Sequence, residues 1–484
     1  MILNRRDGRH LPAAASPCGD PEHADSAFLH PLDSDNSKYT KRRRRQGWSN
    51  PTGIILVVAA IVAVVKFSQS GHRNMHSVIS AKFQPENQLQ SSDVQQQLTR
   101  DQNKSNENNS NQHSKFFRFD SVKPKVDYIS HPTVYPDYRP LPTRPYTEHL
   151  PMSSTLGDLM ERWDQDDIDH PPTPFVEVLQ HFEYSDPVQM EAARAFRDAE
   201  IPFKIVNVPD IEAAAQRWDV KYVGDMFAGK GDIRGSESGY AQKSKDNFFL
   251  FFNKSAWRTN VFGPYPTGRV RWSFAEWANH ARRADMEGLE PDAVHYYFQA
   301  GTAPTEKFDK KKQGFISRDL PLFSSPDSNF FSFSPEESKG IQCRFGERGV
   351  TAATHYDAGR NMVAMIHGAK RYILSPPNAC KYLGLETERK HPAFRHSMLN
   401  FGKINLARSS TTMSKTERDA LLLAAQSPAI ETILKRGEIL YIPSYWFHYI
   451  TSLQMSAQCN TRSGRGSNKG TTEFGNFDDV KVCR

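Results

Sequence analysis

Residues 354–377, THYDAGRNMVAMIHGAKRYILSPP, carry His355 and Asp357 two positions apart, with Lys370 further along a run patterned like β-strand. In a strand, positions i and i+2 share a face, so an imidazole and a carboxylate at that spacing could grip one ion together. Two ligands do not complete a site. The stretch 437–450, GEILYIPSYWFHYI, offers His448 in a second strand-like run. Two histidines and one carboxylate leave coordination positions open, an arrangement suited to non-haem Fe(II) oxygen chemistry. The plainer alternative for His448 is a packed core or rim histidine.

Residues 361–375 read as a hairpin turning at His367-Gly368, and alternation puts Lys370, Tyr372 and Leu374 on one face. If that face is inward, the ammonium needs an anion, because a buried unpaired charge is costly. A bound dicarboxylate would supply one; a solvent-facing lysine at a strand edge is the alternative. His23 and Asp25 repeat the His-x-Asp spacing in a polar N-terminal stretch where no fold is expected to complete a site. His367, His391 and His396 fall at the turn or in a polar insertion and are less strand-like.

The elements that must position these residues begin near residue 172. Residues 187–200 and 210–227 have helical spacing of apolar residues, and 273–287 opens with a Ser-x-x-Glu capping box. Residues 247–255 and 293–301 read as strands. After about residue 315 short strands alternate with Gly and Pro punctuation, the pattern of an all-β sandwich or barrel, interrupted by a helical insertion at 415–426. No solenoid repeat is present.

The net charge of +7 is concentrated at one end: residues 1–70 hold ten Lys/Arg and six Asp/Glu, leaving 52 against 49 elsewhere. A nearly neutral globular part argues against a nucleic-acid partner, whose phosphates require clustered positive charge. Residues 53–65, GIILVVAAIVAVV, form an apolar run of about 20 Å as a helix, and the span from Trp48 to Phe67 adds an interfacial aromatic and a snorkelling Lys66. Polar sequence on both sides offers no core to bury it, so a membrane anchor over 51–68 is expected. The KRRRR run at 41–45 then places residues 1–50 in the cytosol and the rest in the Golgi or ER lumen, as a type II protein. A cleaved signal peptide, giving a secreted chain, and organellar import are the alternatives.

Residues 69–116 are Gln-, Asn- and Ser-rich and read as a disordered stem, 117–171 as an extended Pro- and Tyr-rich segment, and 466–484 as a tail. Three Asn-x-Ser sequons, at Asn103, Asn108 and Asn253, fall on the expected lumenal side. Of the five cysteines, Cys343, Cys380, Cys459 and Cys483 could pair in three ways, and spacing does not choose among them.

A series of segments in the C-terminal part resembles the Jumonji C / cupin-like 2-oxoglutarate-dependent oxygenases. DLPLF, FGERGVTAATHYDAGRNMVAMIHGAKRYILSPP, FRHSMLNF, LKRGEILYIPSYWFHYITSL and Asn460 occur in that family's order, and with the lead-in helices the likeness covers about 172–465. The resemblance implies an α+β, mainly β fold: a double-stranded β-helix (cupin/jelly-roll) core over 315–465, with N-terminal helices and strands over 172–314. It implies that His355, Asp357 and His448 bind Fe(II), that Lys370 pairs with the distal carboxylate of 2-oxoglutarate, and that Asn361 and Asn460 line the cosubstrate pocket. The family places Thr or Ser three residues before the first histidine, where this chain has Ala352; Thr351 could serve instead if the strand bulges. Tyr356, Trp446 and Phe447 could wall the site, with core packing as the alternative. The implied activity is oxygenation by Fe(II), 2-oxoglutarate and O2, hydroxylating a protein or peptide side chain. A non-catalytic binding or scaffold module and a metal cupin enzyme without 2-oxoglutarate are the alternatives.

Overall fold

The structure, a computed structural model, describes residues 125–138, 152–229, 238–257, 264–302, 314–324, 330–334, 337–464 and 480. The expected cytosolic tail, the anchor, the stem and nearly all of 466–484 lie outside these residues. Among the described residues no helix is long and apolar enough to cross a membrane.

In the first half the strands are β1 (Thr133–Val134), β2 (Phe175–Val176), β3 (His181–Glu183), β4 (Phe203–Val206), β5 (Ser238–Ser244), β6 (Phe248–Phe249), β7 (Thr267–Val270) and β8 (His295–Gly301). They continue as β9 (Ile341–Gly346), β10 (Thr351–Tyr356), β11 (Arg360–His367), β12 (Ala369–Ser375), β13 (Ile430–Lys435), β14 (Ile439–Ile442), β15 (Phe447–Ser452) and β16 (Ser456–Ser463). Nine strands form one sheet in the order β3-β4-β14-β11-β16-β9-β8-β5-β7, five form a second in the order β13-β12-β15-β10-β6, and β1 pairs with β2. Tyr372, Leu374, Ile430 and Leu434 of the five-stranded sheet share one buried cluster with Val363 and Met365 of the nine-stranded sheet. The two sheets therefore face each other across a common core, as in a jelly roll.

The other face of the five-stranded sheet, with Ile373, Phe447 and Tyr449, buries Leu156, Phe401, Ile404 and Leu421 from helices and turns. Over the outer face of the large sheet lies a helix at Phe274–Glu287, whose Phe274 meets Phe345 of β9 at 5.0 Å between ring centroids. Its Ser273 capping box forms as expected: Ser273 Oγ accepts from Glu276 N at 3.3 Å and Glu276 Oε2 accepts from Ser273 N at 2.6 Å.

Several local expectations are corrected. The hairpin at His367-Gly368 is a corner: β11 lies in the large sheet and β12 in the small one. Alternating burial looks the same in a hairpin and across a corner between sheets, so the pattern could not separate them. Gly368 makes the corner with φ +70°, where an added Cβ would lie 2.4 Å from the Met455 carbonyl oxygen.

The single helix expected over 210–227 is two, Pro209–Arg217 and Val220–Phe227, divided where the Asp219 side chain accepts from Tyr222 N at 2.6 Å and caps the second. The strand expected over 247–255 shrinks to Phe248–Phe249. Beyond it Leu250 is buried by packing against Ala353 and Ala393 and not by strand pairing, and Phe251 and Phe252 are half-buried. Within the segment expected to be extended, Leu156–Arg162 is a helix, with Thr155 and Asp158 forming its capping box and Leu159 and Met160 buried.

Cys343 and Cys459, directly opposed on β9 and β16, form a disulfide on the helix-covered face of the large sheet. Cys380 is also disulfide-bonded.

Candidate metal centre

β10 and β15 are antiparallel neighbours, and their register sets His355 directly opposite His448. Asp357 follows the end of β10, whose pairing is irregular between Ala352 and His355. His355 Nε2 and His448 Nε2 lie 3.1 Å apart, and His448 Nε2 is 3.8 Å from Asp357 Oδ2. One ligand atom from each of the three residues falls within 4.8 Å of the others.

Each ring donates its Nδ1–H to a backbone carbonyl two residues earlier, His355 to Ala353 at 2.8 Å and His448 to Trp446 at 3.1 Å. That tautomer leaves both Nε2 lone pairs on the side of the carboxylate. Two lone pairs at this separation repel, and an anion beside them adds to the cost, so the donor set fits a divalent cation. Burial, with the neighbouring His448 and His396, pushes His355 well below the usual imidazole range; burial also lowers His448. Both are neutral at pH 7, the form that ligates a metal.

Asp357 stays ionised for a different reason. Burial opposes its charge, but the Arg462 guanidinium and the two imidazoles hold its carboxyl well below the usual carboxylate range. Arg462 Nη1 donates to Oδ1 and Asn361 Nδ2 donates to Oδ2 at 3.2 Å. Asn460 Nδ2 in turn donates to Asn361 Oδ1 at 3.0 Å. The two asparagines, on paired strands β11 and β16, thus form a relay that ends on the carboxylate. Tyr445 N donates to the Asp357 carbonyl at 2.8 Å and fixes the backbone as well.

Lys370 is 3% exposed and faces inward on β12, opposite Ser452 of β15. Among the described residues its ammonium makes no hydrogen bond or ion pair, and the Tyr297 ring lies 5.7 Å away. Burial and the positive charge of Arg344 pull its pKa down to about 7. A buried cation without a counter-charge is the receptor expected for an anion.

Thr351 is not brought to this lysine. It pairs with Thr451, which pairs with Arg371, on the face of the small sheet opposite Lys370. Its hydroxyl donates to Gly349 O at 3.0 Å and accepts from the Gln165 amide. The strand is irregular, as Thr351's proposed role required, but the irregularity begins only after Ala352. Tyr356, Trp446 and Phe447 are also core residues: Tyr356 and Phe447 meet at 5.6 Å on the far face, and Trp446 joins the main core.

Three further residues near the site carry little signal in the sequence. Arg462 stands two residues beyond Asn460 on the same strand face, so alternation could have found it. His396 stacks on His355 with ring centroids 4.9 Å apart, and Phe251 lies 6.5 Å from His355; both come from irregular segments that carry no period.

The Cupin-like domain family matches residues 189–462. Jumonji C domain-containing protein 5 of Drosophila melanogaster is 26% identical over 27% of this chain and 29% of its own length. The human tRNA wybutosine-synthesizing protein 5 is 27% identical over 36% of this chain and 47% of its own. Lysine-specific demethylase 8 of Xenopus tropicalis is 30% identical over 27% of this chain and 26% of its own. The chain spans less than half the length of each of these relatives.

Proposed function

Because the chain belongs to the Jumonji C / cupin-like domain family, we propose that it is an Fe(II)- and 2-oxoglutarate-dependent oxygenase that hydroxylates a protein or peptide side chain in the lumen of the secretory pathway. The observation that carries this reading is the pair of facing Nε2 atoms beside an ionised carboxylate, with each opposite ring nitrogen already satisfied by a carbonyl. Bound iron and 2-oxoglutarate would supply the oxidation, converting a substrate C–H to C–OH with O2 and releasing succinate and carbon dioxide.

His355, Asp357 and His448 would hold the metal from one side, leaving the other side for cosubstrate and oxygen. Arg462 and the Asn460–Asn361 relay keep the carboxylate charged and aimed. Lys370 receives the far carboxylate of the cosubstrate. Phe251 and the stacked His396 ring shield the side of His355 that the sheet does not cover.

Of the three relatives described above, one is named a lysine-specific demethylase and one a tRNA wybutosine-synthesizing protein. A protein substrate suits this chain better, since its charge outside residues 1–70 is nearly balanced and carries little surplus to attract phosphates. The lumenal placement is supported by the Cys343–Cys459 disulfide, because disulfides persist in oxidising compartments, and by Asn253, an exposed sequon asparagine. A lumenal site also argues against histones as substrates.

The test is anaerobic titration of the purified chain with Fe(II) and 2-oxoglutarate, following the metal-to-ligand charge-transfer band. The band should form, and should vanish in His448→Ala. A chain that binds iron but gives no band with 2-oxoglutarate would instead be a metal cupin of another kind, and one that binds neither would be a non-catalytic module. Placement is checked separately: an endoglycosidase-sensitive glycan at Asn253, lost in Asn253→Gln, is expected of a lumenal chain.

A further inference from the structure

The facing sides of the two sheets present a second cation. Arg344 lies on β9, paired with Gln458 of β16 and Gln299 of β8. Across the core, Tyr372 of β12, two residues from Lys370, donates its hydroxyl to Gln458, so these strands present their inner faces to one space. The Arg344 guanidinium lies 5.9 Å from the Phe251 ring centroid, and Phe251 is 6.4 Å from Tyr297, the ring beside Lys370. Arg344 is close enough to Lys370 to disfavour its charge.

Neither cation has a carboxylate partner among the described residues. The hydrogen bond Arg344 makes is to the Cys343 carbonyl, at 3.2 Å. Two positive groups facing each other without a counter-ion raise the energy of the free protein, and a carboxylate between them removes both costs. No hydroxyl joins Lys370 from its own sheet: position 352 is alanine, in register with Ile450 and through it with Tyr372, and the Thr351 hydroxyl is taken up on the other face.

We propose that Arg344 is a specificity-determining residue of this site, the second cationic partner of the cosubstrate's distal carboxylate, taking the role that no hydroxyl fills at position 352. The inference rests on the oxygenase reading and adds to it a consequence: the pocket discriminates by charge at the far end of the cosubstrate more strongly than one cation would allow. Arg344 also couples the pocket to the fold. Its neighbour Cys343 is clamped to Cys459 on the opposite face, which fixes the strand that aims the guanidinium.

Calorimetric binding to the Mn(II)-loaded chain tests this without turnover. The probes are 2-oxoglutarate and 2-oxovalerate, which share the metal-binding end and differ in the distal carboxylate. The wild type should prefer 2-oxoglutarate, and Arg344→Leu should lose about 10-fold or more of that preference while binding 2-oxovalerate as before, the loss expected of one charged hydrogen-bond partner. Arg344→Gln, close to arginine in shape, should show the same fall and gives the ratio if the leucine variant does not fold. A preference unchanged in the folded variants overturns the assignment of Arg344 and leaves Lys370 alone with the carboxylate. A wild type that binds no 2-oxoglutarate overturns the oxygenase reading and this inference together.

Discussion

Lys204 and Lys370 are the two most deeply buried lysines among the described residues, and their surroundings differ in kind. Lys204 of β4 is 1% exposed; its ammonium meets Glu177 at 2.7 Å and Glu438 at 3.2 Å and donates to the Ile433 carbonyl at 2.7 Å. Burial alone would favour its neutral form, but the two carboxylates hold its pKa above the ordinary value. Lys370 of β12 is 3% exposed with the Tyr297 ring 5.7 Å away, and burial and the positive charge of Arg344 lower its pKa to about 7. The first charge is balanced within the chain, so it serves the fold. The second is left for something outside the chain to balance, which is the mark of a binding site.

The contrast can be broken by removing each lysine in turn. Lys204→Met strands Glu177 and Glu438 in the interior and should cost about 3–5 kcal/mol of stability. The melting temperature should drop clearly, and a change of less than about 1 kcal/mol would mean the triad is not the structural charge network described. Lys370→Met removes a cation that has no partner, so the melting temperature should stay level or rise. Its 2-oxoglutarate affinity should fall about 30-fold or more, since losing one side of a buried charge pair costs about 2 kcal/mol at least. A variant that melts lower yet binds as before would reverse the roles assigned to the two lysines.

Only part of this difference could be read from the sequence. His355, Asp357 and His448 were legible because two lie at strand spacing and the third in a strand-like run of its own; their meeting needs only that β10 and β15 be neighbours. Lys370 was legible by alternation, but its lack of a partner was not, because that depends on what the other sheet presents. The corner at Gly368 decides this: it sends β12 into a different sheet from β11 and so sets Lys370 across from Arg344. Lys204 carried no signal either, since its partners Glu177, just after β2, and Glu438, just before β14, are distant in sequence and meet it only through the fold.

The charge of Lys370 also makes binding sensitive to pH, whereas Lys204 stays charged throughout. Below about pH 7 Lys370 is already protonated in the free pocket, so 2-oxoglutarate affinity should be flat there. Above it the free lysine is neutral, and a carboxylate that raises its pKa must bring a proton in with it. Affinity should then weaken by up to about tenfold per pH unit. The phenols of Tyr297 and Tyr372, which face the same space, are pushed up by burial and stay neutral in this range. Calorimetry in buffers of different ionisation enthalpy should show proton uptake near pH 8 that is absent in Lys370→Met; equal affinities at about pH 6.5 and 8.5 would count against an unpaired lysine.

The smallest effect concerns the residue that the cavity leaves out. Thr351→Val keeps the shape of a buried side chain and removes its hydroxyl, which contacts Gln165, Gly349 and Thr451, the last at 3.3 Å. The Gln165 amide also donates to the Thr451 hydroxyl, so one of its bonds survives and the loss should be about 1 kcal/mol of stability. Affinity for 2-oxoglutarate should not change, because the register of β10, β15 and β12 puts this side chain on the face opposite Lys370. If affinity falls with stability intact, the irregular strand admits Thr351 to the pocket, and the gap at Ala352 would no longer call for Arg344. The same variant therefore separates the two ways a carboxylate could be held against Lys370: by a hydroxyl on its own sheet or by a guanidinium across the core.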